Sequence, residues 1–124
     1  MEKLLLVAVG GGIGAVARYL VSGWAAEHIG SNFPYGTLIV NVVGCLIIGL
    51  FMTLTTEKYL VSPHWRLLVT VGFLGGLTTF SSYSYETFKL LEEAGMTMAF
   101  YNIFSNLIIG FFATWVGITL GRLI

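Results

Sequence analysis

The sequence predicts an all-α membrane protein with four transmembrane helices, folded as one domain over residues 1–124. Three observations predict it. Only 10% of the residues are charged, against about 25% in an ordinary soluble domain. Hydrophobic residues make up 56%, too many for a surface that is wet everywhere. The apolar residues also fall into four runs, each near the roughly 20 residues that a bilayer core demands.

The first run extends from Leu4 to Ala26. Lys3 and the Leu/Val stretch behind it resemble a secretory leader, but the apolar pattern continues through Gly10-Gly11-Gly12. That is beyond the short core of a cleaved signal, so a retained helix is expected. Gly10 to Ala15 also fits G-x-G-x-x-A. That spacing binds dinucleotides only between a strand and a helix, and here a membrane helix flanks it on both sides. Helix packing is the better reading. Arg18 lies within this span and has two readings: a side chain snorkelling to the interface, or a positive charge at a pore mouth that concentrates anions.

The second run extends from Tyr35 to Thr55, behind Pro34. Thr37 and Asn41 are four apart and share a face. A deep asparagine needs partners. It serves either as glue between helices or as a donor in a pathway.

The third run extends from Leu67 to Leu91 and contains Gly75-Gly76-Leu77-Thr78-Thr79-Phe80-Ser81-Ser82-Tyr83-Ser84. Two glycines and two β-branched threonines make a poor helix. On the residues alone, a simple glycine kink accounts for them. A true break would need its freed backbone groups buried in protein or lining a cavity. Phe80 and Tyr83, three apart, share a face. They are packing residues, or they present partly positive ring edges to a small anion. Glu86 is the one acid inside the span. It is interfacial, or it pairs with a polar neighbour along a path.

The fourth run extends from Met98 to Ile124 and carries Asn102, Asn106 and Thr114, with Gly110 filling the four-residue step. This makes one slowly winding polar stripe on an apolar helix. Amides and hydroxyls can donate to an anion without neutralising it, which suits the weak, multi-site binding that conduction needs.

The chain has six Lys and Arg against six Asp and Glu, giving zero formal net charge. That argues against a nucleic-acid partner. Cys45 is the only cysteine, so no intrachain disulfide forms. His28 and His64 are predicted on opposite membrane faces, and no nucleophile–base pair is evident, so an enzyme is not expected. Four spans put both termini on one side, with Lys3, Lys58, Arg66 and Arg122, against Arg18 and Lys89 towards the other. Taken alone, this weak bias favours small-number scatter over insertion both ways up. The pairs Gly10/Gly14, Gly72/Gly76 and Gly117/Gly121 permit close helix approach. Four short helices enclose little, so an oligomer is expected, most simply a dimer.

Three stretches together carry a resemblance: Gly11 to Tyr19, Gly36-Thr37-Leu38-Ile39-Val40-Asn41, and Gly72 to Ser84. They resemble the Fluc (CrcB) family of fluoride channels over essentially the whole chain. The resemblance implies a third helix broken near its middle and an antiparallel, dual-topology homodimer in the cell (inner) membrane. That gives the weak charge bias a purpose. It also implies two fluoride pathways per dimer and a central structural sodium ion held by backbone carbonyls, at Gly75 and Gly76 in this chain. The family's paired phenylalanines fall on Phe80 and Tyr83, its pore asparagine on Asn41, and its polar track on Asn102, Asn106, Gly110 and Thr114. Ser81, Ser82 and Glu86 lie at pathway positions, and Arg18 is at most a vestibule charge. Two positions depart from the family pattern: Tyr83 adds a hydroxyl at the aromatic box, and Gly110 removes one from the track. The implied function is passive export of toxic fluoride from the cytoplasm. The alternative is a small proton-coupled exporter of lipophilic cations, which would want a central membrane carboxylate on the first helix, where there is none. A purely structural membrane subunit would leave the polar stripe without a role.

Overall fold

A computed structural model describes residues 1–124. Helix α1 spans Glu2–His28 and α2 spans Tyr35–Thr56. The third span, Pro63–Glu93, is assembled from pieces. These are a short α3 (Pro63–Arg66), a π-helical stretch (Leu67–Phe73), α4 (Leu74–Leu77) and α5 (Phe80–Glu93). Helix α6 spans Met96–Leu123. Four helical spans are therefore long and apolar enough to cross a membrane, and each predicted run falls on one of them.

The ends have local causes. Ser62 caps α3, its hydroxyl accepting from the Trp65 N–H at 3.4 Å, with Pro63 in the first turn where no donor is missed. The turn from α5 to α6 passes through Gly95 at φ +101°, backbone that a residue with a Cβ rarely adopts. Both termini lie at one end of the bundle. There Arg122 donates to both carboxylate oxygens of Glu57, at 3.0 and 3.2 Å. Glu2 comes within 3.6 Å of His64 at the same end.

Glycine seams hold the bundle together. A Cβ on Gly10 would meet backbone of Leu68, Gly72 and Phe73, and one on Gly14 would meet the Phe73 carbonyl. From the other side, Gly72 faces Gly10, and Gly76 faces the Gly11 carbonyl. Two of the predicted pairs thus pack against each other, joining α1 to the third span. The third joins α6 to α2, with Gly117 against Leu46 and Leu50 and Gly121 against Thr53. The close helix approach expected of these pairs is therefore present. They are used within the chain, because backbones without Cβ atoms give van der Waals contact that lipid cannot improve on. Val40, Leu74 and Leu77 form the small apolar core between the seams.

Candidate functional site

The third span breaks at Thr78–Thr79, not at the glycine pair. Thr78 (ψ 156°) and Thr79 (φ −152°, ψ 121°) are extended, while Gly75 and Gly76 remain within α4. The glycines have different work. Gly76 lies against α1, whereas nothing stands within 4 Å of a Cβ built on Gly75, which lines an open cleft. The extended conformation belongs to the β-branched pair, which resists the helix through its restricted χ1.

Four of the backbone groups at the break meet a side-chain partner. The Thr79 hydroxyl caps α5, accepting from the Ser82 N–H at 3.0 Å. The Thr79 N–H donates to Asn41 Oδ1 at 2.9 Å, and Asn41 Nδ2 donates back to the Thr79 carbonyl at 3.2 Å. Arg18 Nε donates to the Gly76 carbonyl at 3.1 Å. Arg18 is therefore engaged at the level of the break, and its guanidinium faces the third span.

From Asn41 a row of side chains runs across to α6 and back to α5. Asn41 Nδ2 also donates to Asn106 Oδ1 at 3.1 Å. Asn106 Nδ2 donates to Asn102 Oδ1 at 3.2 Å and to the Asn102 carbonyl at 3.0 Å. Asn102, 0% exposed, donates through Nδ2 to the Thr87 hydroxyl at 2.8 Å. Thr87 in turn donates to the Tyr83 carbonyl at 2.8 Å. An amide buried this deeply in hydrocarbon is tolerable only when paired in this way.

Beside the row is a cleft of about 440 Å³, lined by Asn41, Gly75, Thr79, Phe80, Tyr83 and Asn106 among others. The Phe80 and Tyr83 rings meet edge to face, centroids 5.7 Å apart and planes at 65°. Phe80 is 76% exposed on the surface of the chain, while Tyr83 is buried. The Tyr83 hydroxyl donates to the Ile103 carbonyl at 3.0 Å. That bond occupies the added hydroxyl and leaves the ring edge as the group Tyr83 can offer the cleft. Ser81 lies close by, its Oγ 3.3 Å from the Thr79 hydroxyl oxygen.

Other sequence candidates lie apart. Glu86 lines a second cleft, of about 480 Å³, at the end of the bundle away from the termini, near Thr37 and Lys89. One of its oxygens is buried without a hydrogen-bond partner. Thr114 donates to the Gly110 carbonyl of its own helix at 3.2 Å, two turns beyond Asn106. Thr79 and Thr87 are the two residues that sequence reasoning left out of the site. Thr79 is readable in hindsight as a Thr three residues before Ser82 at the start of a helix. Nothing in the sequence marks Thr87 beyond its spacing of four from Tyr83.

A family described as CrcB-like protein, Camphor Resistance (CrcB), matches residues 5–118. The chain is 47% identical over 120 residues to a protein of Solibacter usitatus, covering 97% of this chain and 98% of the relative. It is 43% identical to a protein of Geotalea daltonii and 47% identical to one of a Sulfurihydrogenibium species, each over 124 residues and the full length of both chains. All three relatives are named fluoride-specific ion channel FluC. With four spans, a broken third helix and a match of this extent, the chain is a multi-pass membrane protein and belongs to the CrcB family.

Proposed function

We propose that this chain forms a fluoride-selective channel that lets fluoride leave the cytoplasm passively. Two copies, inserted antiparallel, would make two pores. The observation that carries this reading is the cleft in which the Phe80–Tyr83 ring pair stands beside the row of paired amides. The names of the full-length relatives supply the ion.

Fluoride is small and strongly hydrated, so its path must replace water with weak donors in series. Ring edges carry partial positive charge without fixed charge. The hydroxyls of Ser81 and Ser82 add donors, and the amides of Asn41, Asn102 and Asn106 keep the wall polar. Glu86 and Thr114 extend the path towards the two ends. Low charge along the wall keeps binding weak enough for the ion to leave.

A central sodium ion would find a hard oxygen ligand at Gly75. Its carbonyl loses the Thr79 N–H that a continuous helix would supply, and the residue borders the open cleft. The Gly76 carbonyl already receives Arg18, so Gly75 fits a cation better. Sodium there would fix the two copies against each other at the break. The exporter alternative needs a carboxylate at the bundle centre, whereas Glu86 lines a cleft at one end.

The test is efflux from liposomes loaded with potassium fluoride and given valinomycin. Rapid fluoride release with no chloride release is expected. Slow fluoride release, or chloride release at the same rate, would overturn the reading.

A further inference from the structure

We infer that Asn41 is a positioning residue whose amide holds the third span open, and that it is not a direct ligand of the permeating ion. The inference builds on the fluoride reading, and part of its test is independent of it.

A residue in extended conformation turns its own N–H and C=O to the same side, as in one residue of an antiparallel strand pair. In a helix the two groups point in opposite directions along the axis. A single primary amide can therefore pair with both groups of one residue only when that residue is extended. Asn41 does this to Thr79, through Oδ1 at 2.9 Å and Nδ2 at 3.2 Å. It thereby favours the broken state over a closed one in which the Thr79 N–H would bond to the Gly75 carbonyl. Arg18 supports the other side of the break by taking the Gly76 carbonyl, which a continuous helix would pair with the Phe80 N–H.

The donor count points the same way. Asn41 has two N–H bonds on Nδ2. One goes to the Thr79 carbonyl and the other to Asn106 Oδ1 at 3.1 Å. Both are committed to protein acceptors. An anion recruiting either would have to break the clamp or detach Asn106, leaving a part-buried acceptor unpaired. The rings of Phe80 and Tyr83 meet each other edge to face, and neither ring edge holds a hydrogen bond that an anion would have to break. Contact with the ion falls to them, and Asn41 acts by setting where α5, and Phe80 at its first turn, begins.

The test uses the full chain in nanodiscs, by NMR. In the unmodified protein, adding fluoride should shift the Phe80 ring resonances and leave the Asn41 side-chain NH₂ resonances in place. Movement of the Asn41 NH₂ resonances with fluoride overturns the inference. In Asn41→Ala, the Thr79 amide should exchange with solvent at least roughly tenfold faster, since its local opening no longer breaks a clamp. Unchanged Thr79 exchange also overturns it. In efflux assays the variant should lose maximal flux, with the half-saturating fluoride concentration within about twofold of the original, the signature of lost positioning and not lost binding. A larger rise in half-saturation overturns it. If the unmodified protein passes no fluoride, the functional reading fails, while Thr79 exchange still decides whether the clamp exists.

Discussion

The phenolic oxygen of Tyr83 donates to the main-chain carbonyl of Ile103 at 3.0 Å, tying α5 to α6 from inside the bundle. The hydroxyl thus stabilises a helix contact, while the ring beside it faces the cleft. Tyr83→Phe should keep fluoride flux and selectivity near their original values. Stability should fall by about 1 kcal/mol, the usual worth of one such bond. Efflux and thermal unfolding of the same preparation check both halves. A collapse of flux with stability unchanged would mean that the hydroxyl itself meets the ion.

Phe80→Ile removes the ring edge while keeping an apolar side chain on an exposed position. Fluoride efflux should fall at least roughly tenfold, about 1.4 kcal/mol on the barrier. Near-normal flux would return Phe80 to an ordinary surface residue.

Gly14 and Gly12 are two positions apart, yet they should respond oppositely to alanine. A Cβ on Gly14 would run into the Phe73 carbonyl, which is backbone and cannot swing aside. Gly14→Ala should cost about 1–3 kcal/mol by overpacking. Gly12 is exposed with nothing within 4 Å, so Gly12→Ala should be neutral or stabilising by about 0.5–1 kcal/mol through helix propensity. Thermal unfolding of the two variants side by side gives the comparison.

Replacing sodium on both sides of the membrane by a larger cation should abolish efflux once trapped sodium is removed. Thr78→Ser should retain most of it. The Thr78 hydroxyl is spent on the Leu74 carbonyl at 2.9 Å, a bond that serine can also make. Full efflux in a rigorously sodium-free system would count against a structural cation at the break.

Asn102→Ala should destabilise by about 2–3 kcal/mol, because it strips a donor from Thr87 and an acceptor from Asn106 at a fully buried position. Asn102→Asp keeps the acceptor but loses the donor to Thr87, and should fold less well than the original at neutral pH. Unfolding midpoints of the two variants against the parent test this.

The spans were legible because hydropathy over some 20 residues is a local property. The second run, predicted over Tyr35 to Thr55, forms the helix Tyr35–Thr56. Hydropathy starts the third run at Leu67, but its helix begins at Pro63, where the Ser62 cap and the proline are the available signal. The π-helical stretch Leu67–Phe73 has no sequence signature. It sits where Leu68 and Gly72 meet Gly10, a constraint imposed by α1. The residues alone predict a kink at Gly75-Gly76, and the resemblance implies the break there, yet it falls at Thr78–Thr79. What decides is a partner on another helix: Asn41, 38 positions away, reaches Thr79 and not the glycines. The asparagines were visible as polar residues in apolar helices. Their partners were not, since half of the bonds go to main-chain groups that every residue possesses. The glycine pairs were recognised, but which surface they would face depends on tertiary structure alone.

Apart from the bond that Asn41 returns to the Thr79 carbonyl, the donors in the asparagine row run one way. The Thr79 N–H feeds Asn41, Asn41 feeds Asn106, Asn106 feeds Asn102, Asn102 feeds Thr87, and Thr87 feeds the Tyr83 carbonyl. Dipoles aligned in this manner polarise one another and strengthen the row as a unit. Three of its links are amides, which at neutral pH neither gain nor lose a proton. The row can therefore steady charge beside it, yet it is no wire for hydrogen ions. A fluoride route of the kind proposed, built against it, would gain no proton relay from the row.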